Sequence, residues 1–148
     1  MRKLVFAMVL VLGMFMVLAC ASNSILTTQK DVDDAFQKIY NQFRGDLILD
    51  GADSYTVVSG DTLSAISRAQ YQNGFYFPLI MLASSDVVLD PDQIEPGMKL
   101  TIPDLQKNLN DARAKGKLKD FLVEIAKVYD RRSRPADADG LRNHAASL

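Results

Sequence analysis

The sequence holds no tryptophan, one cysteine and one histidine among its 148 residues, and its formal net charge is only −1. Each shortage removes a class of function. The lone cysteine, Cys20, cannot close a disulfide within the chain, so packing must hold the fold. The lone histidine, His144, has no histidine or cysteine partners for a metal or nucleophile site, and it reads as a surface residue of the last helix. No metal and no cofactor are expected. Without tryptophan, the commonest platform for stacking a flat ligand face is missing. A near-zero net charge lacks the basic excess that nucleic acid selects. Charge is nonetheless uneven. Between Asp53 and Pro103 the acids Asp53, Asp61, Asp86, Asp90, Asp92 and Glu95 face only Arg68 and Lys99, whereas bases exceed acids after Pro103. That excess reads as a solvated helix face.

One long apolar run is present, from Leu4 to Ala19, behind the basic pair Arg2-Lys3. It falls short of the ~20 apolar residues of a membrane-spanning helix and has the form of a signal peptide. Val17-Leu18-Ala19-Cys20 resembles a bacterial lipobox. The resemblance implies a lipoprotein signal peptide over 1–19, cleavage before Cys20 and lipid on its thiol. An ordinary secretory signal with an incidental cysteine is the plainer alternative. Acyl chains anchor because each buried methylene contributes ~0.8 kcal/mol and one chain alone binds only marginally. Ala21 stands where inner-membrane retention usually has aspartate, which implies the outer membrane, facing the periplasm.

After a short tether over 20–27, Thr28-Gln29-Lys30-Asp31 has the form of a helix capping box. Val32, Ala35, Phe36, Ile39, Tyr40 and Phe43 follow at helical spacing, which predicts an amphipathic helix over 28–44. Tyr55 to Val58 alternates as a short strand, Gly60 turns the chain, and Asp61 is placed to cap a helix carrying Leu63, Ile66 and Ala69. Asn73-Gly74 ends that helix, and a second runs from Phe77 to Ala83 with Pro78 in its first turn. Asp90-Pro91-Asp92 and Pro96-Gly97 mark turns before a closing strand, Lys99 to Ile102. Leu118, Phe121, Leu122, Ile125, Ala126 and Tyr129 then form a second helical stripe, and Pro135 starts a final helix. These two segments predict a helical hairpin within 105–148. Spacing alone leaves open whether the first stripe packs on the domain, on the C-terminal helices or on a partner, and whether the hairpin packs on the domain or on another chain.

From Tyr55 to Pro103 the punctuation is specific: Ser59-Gly60-Asp61-Thr62-Leu63, then Ile94-Glu95-Pro96-Gly97-Met98-Lys99-Leu100, then Ile102-Pro103. This stretch resembles a LysM (lysin motif) domain from end to end. The resemblance implies an α+β fold over 54–104, a βααβ unit with a two-stranded antiparallel sheet. It also implies a non-enzymatic module that binds polymers of N-acetylglucosamine, with peptidoglycan as partner. In the family the sugar lies in a shallow groove between two loops. Carried onto this chain, the first wall is Gly60, Asp61, Thr62 and Leu63, and the second is Asp90, Pro91, Asp92 and Ile94. Such a polymer offers hydroxyls and amides, so it needs exposed hydrogen-bonding backbone and little charge.

Plainer readings stand beside these. The turn itself requires Gly60, helix starts favour Asp61, and Leu63 and Ile94 suit a core. The chain also departs from the family after the second helix, with Ser84-Ser85 where many members carry asparagine. Of the cluster Phe75-Tyr76-Phe77, Phe77 reads as core and Tyr76 as the ring free to stack on sugar. A glycosidase would need two carboxylates at fixed separation, one with a raised pKa, and nothing in the acidic loop implies desolvation. Two function classes remain: a lipid-anchored peptidoglycan-binding protein, or an envelope scaffold whose flanking helices bind a protein or self-associate.

Overall fold

The structure, a computed structural model, describes residues 24–148. The expected signal peptide and Cys20 lie outside the described residues. No helix among the described residues is long and apolar enough to cross a membrane.

Helix α1 (Gln29–Phe43) begins as its capping box requires. Thr28 Oγ1 accepts the Asp31 N–H at 3.2 Å, and the Asp31 carboxylate accepts the Thr28 N–H at 3.1 Å. Strands β1 (Asp53–Thr56) and β2 (Lys99–Ile102) pair antiparallel, with Asp53 opposite Ile102 and Thr56 opposite Lys99. The regular ladder therefore starts two residues before the expected strand. It continues past Thr56 through the Val57 N–H on the Met98 carbonyl and the Gly97 N–H on the Val57 carbonyl, both at 2.9 Å. Between the strands lie α2 (Leu63–Tyr71), a 3₁₀ turn (Gly74–Tyr76) and α3 (Phe77–Ala83). Gln72 adopts a left-handed conformation with φ of 61° and ends α2. The result is the expected α+β fold with its βααβ unit.

The cap of α2 differs from the expectation. Thr62 Oγ1 accepts the Ala65 N–H at 3.1 Å, so Thr62, one residue beyond Asp61, is the N-cap. Asp61 turns back instead and accepts the Val58 N–H and the Tyr55 hydroxyl, each at 2.9 Å.

After β2 the chain forms α4 (Leu105–Asn110) and α5 (Ala112–Arg131). Asp111, extended between them, caps α5 by accepting the Ala114 N–H at 2.8 Å. Ser133, with φ of 58°, turns the chain into α6 (Pro135–Ser147), which completes the hairpin. The stripes of α1 and α5 meet each other and the domain. Phe36, Tyr40, Leu118, Phe121, Leu122 and Ile125 are fully buried in one continuous core with Leu79, Ile80 and Leu100. Phe43 and Phe121 pack edge to face with centroids 5.4 Å apart. Full burial of each such side chain contributes about 1.5–3 kcal/mol. The α1 stripe is therefore covered chiefly by α5, and both join the core of the chain's own βααβ unit.

Candidate functional site

A cavity of about 510 Å³ opens between the two expected loops. Asp61, Thr62 and Leu63 form its first wall, and Pro91, Asp92 and Ile94 its second. Six of the eight expected contact residues thus border one space. Gly60 sits just outside it, exposed at the bend with φ of 91°, a conformation that favours glycine. Asp90 lies behind the second loop, with only 2 % of its surface exposed. Leu63 is equally a core residue, and Ile94 is half-buried.

Each loop is built by its own aspartate. In the first, Asp61 ties Val58 and Tyr55 together across the turn, and this hydrogen bond raises the Tyr55 pKa above its ordinary value. In the second, the Asp90 carboxylate accepts the Asp92 N–H at 3.0 Å, and the Asp90 carbonyl accepts the Gln93 N–H at 3.0 Å. The same carboxylate accepts Arg132 Nη1 at 3.1 Å and Gln29 Nε2 at 3.0 Å. The second loop is therefore held by α1 and by the turn that joins α5 to α6. Ser84, directly after α3, accepts the Thr101 N–H at 2.9 Å and so pins α3 to β2.

A third wall comes from outside the βααβ unit. Tyr129 of α5, Arg134, and Asp137 and Leu141 of α6 border the same cavity. Arg132 pairs with Asp92 at 2.9 Å. Arg134 pairs with Asp92 too, donates to Asp137 at 2.7 Å and lies 4.6 Å over the Tyr129 ring. Sequence reasoning missed this wall, because Arg132 follows Asp90, and Arg134 follows Asp92, by 42 residues and no local pattern links them. Electrostatically the consequence is partial compensation. Asp92 and Asp137 are paired with arginines, Asp61 accepts from the Val58 N–H and the Tyr55 hydroxyl, and Arg68 adds a positive charge to the lining. Such a lining suits a neutral, hydroxyl- and amide-rich ligand better than a charged one.

The aromatic cluster divides differently from the expectation. Phe77 is in the core, as expected. Tyr76 is partly covered, edge-on to Tyr71 at 6.2 Å and to His144 at 4.5 Å, and burial raises its pKa. Phe75 is the exposed ring, at 46 %, and it borders the cavity. His144 is not a surface residue. It is half-buried between Phe75 and Tyr76, and burial lowers its pKa below 6.5.

Comparison with known proteins agrees with this geometry. Residues 55–103 match the family model described as "LysM domain". Over 50 residues the chain is 48% identical to a protein named "Potassium binding protein Kbp" from Escherichia coli O6:H1 (strain CFT073). That match covers 34% of this chain and 34% of the relative, so the chain spans about a third of the relative's length. No solved structure matches. LysM is a family of binding rather than catalytic domains, associated with glycans such as peptidoglycan. Residues 55–103 accordingly match the LysM domain family, in a chain whose flanking helices complete the core of that segment and close one side of its groove.

Proposed function

We propose that this chain is a lipid-anchored, non-enzymatic peptidoglycan-binding protein of the cell envelope. Lipid on Cys20 holds it to the outer membrane on the periplasmic side, and its groove contacts glycan containing N-acetylglucosamine. The observation that carries this reading is the cavity between the two LysM loops, whose acidic side chains are each engaged by donors of the chain itself. Asp61, Thr62, Leu63, Pro91, Asp92 and Ile94 border the ligand, Gly60 shapes the first loop, and Asp90 holds the second in place from behind. Each hydrogen bond to sugar contributes about 1 kcal/mol net in water, so a single domain binds weakly and gains from a repetitive wall.

The apolar stripes that favoured a scaffold are buried within the chain, so nothing in their exposure supports that reading. The relative's name refers to potassium. In this chain Asp90 and Asp92 are paired with Arg132 and Arg134, which leaves that loop little negative charge to offer a cation. Co-sedimentation with purified sacculi at low salt tests the glycan reading. The protein should pellet with wall material and be released by soluble chitin oligosaccharides. Protein that stays in the supernatant at high wall excess overturns it.

A further inference from the structure

We infer that Phe75 is the sugar-stacking platform of this groove, and that α6, which lies outside the LysM segment, holds the ring in place and walls the ligand in. The inference rests on the glycan reading above and adds what the two loops lack. Those loops supply hydrogen-bonding groups but no broad apolar face, and the chain has no tryptophan. Phe75 is the exposed aromatic of the cavity lining; Phe77 is core and Tyr129 is covered by Arg134. An exposed phenylalanine beside a polar cavity gains by covering its ring with the C–H face of a sugar.

Its position is fixed from two directions. The Asn73 side chain accepts the Phe75 N–H at 2.9 Å and sets the one-turn helix that carries it. From the far end of the chain, His144 lies roughly parallel to the ring, with centroids 5.9 Å apart. Gly140 gives the ring room: a Cβ on Gly140 would stand 2.7 Å from Phe75 Cε1. The ring therefore rests against bare helix backbone at Gly140, while part of it remains open to the cavity that Asp137 and Leu141 also border. With the acids already engaged by donors of the chain, the ligand this arrangement fits is a neutral N-acetylated amino sugar. Its ring would lie on Phe75 and its amide and hydroxyls would meet the loops.

Titration of the full chain with a chitin oligosaccharide, by calorimetry or by amide chemical shifts, tests this. Phe75→Leu keeps apolar bulk but loses the flat face, and it should weaken binding about tenfold. Phe75→Tyr keeps the face and should bind within about twofold of wild type. Gly140→Ala favours the helix, so the fold persists, yet the added methyl must displace the ring; binding should fall while the melting temperature does not. Wild-type affinity in Phe75→Leu overturns the platform, and wild-type affinity in Gly140→Ala overturns the role of α6. In either case oligosaccharide binding by the wild-type chain leaves the glycan reading standing. No binding by the wild-type chain overturns both.

Discussion

Asp90 joins three parts of the chain through one carboxylate, which accepts from Gln29 at the start of α1, from Arg132 after α5, and from the Asp92 amide in its own loop. With its side chain 1% exposed and that of Arg132 16% exposed, the pair is largely screened from water. Removing one partner of such a pair strands the other charge in a poor solvent. Asp90→Ala should therefore destabilise the protein by about 3 kcal/mol, read from urea unfolding. A loss under ~0.5 kcal/mol would show that Asp92 alone satisfies Arg132. In the sequence, Asp90-Pro91-Asp92 has the composition of an exposed acidic turn. The turn was legible there, but the burial was not, because burial depends on arginines far along the chain. Asp61 and Thr62 show the same limit at shorter range. Both are good caps, and only the path of the Gly60 turn decides which one faces the helix.

At the scale of elements, apolar spacing disclosed α1 and α6 with nearly their observed limits, because a stripe at helical period must be buried whatever covers it. Of α5, which begins at Ala112, it disclosed only the C-terminal part, from the start of the stripe at Leu118. It could not disclose the cover, nor the separate α4, whose six residues are too few to show a period. The cover turns out to be mutual. The Phe121 ring meets Tyr40 at 6.2 Å and Phe43 at 5.4 Å, so α5 and α1 share one aromatic layer above the LysM helices. Phe121→Ala should cost about 4 kcal/mol and shift the urea midpoint without changing the slope. Were the helices a separate appendage, the substitution would instead split unfolding into two transitions, one of them at the wild-type midpoint.

For the molecule as a whole, the placement of α6 decides how the groove behaves, and one titratable group sits in the joint. His144 packs against the neutral rings of Phe75 and Tyr76, and its Nε2 is buried without a hydrogen-bond partner among the described residues. Burial disfavours the imidazolium, so the folded pKa lies below 6.5. The unfolded chain then binds more protons than the folded chain as pH drops through 6.5, and stability must fall with pH in that window. Well above 6.5 both states are neutral at this residue and its contribution is constant. Among the carboxylates, Asp31 has its pKa lowered from 3.8, so the acid loss that it causes belongs to a lower range. The melting temperature of wild type should therefore decline between about pH 7 and pH 5, and that of His144→Gln should decline less over the same interval. Parallel declines in the two proteins would mean that His144 is solvated in solution. The joint between α6 and the 3₁₀ turn would then be looser than the packing of Phe75 and Tyr76 on His144 requires.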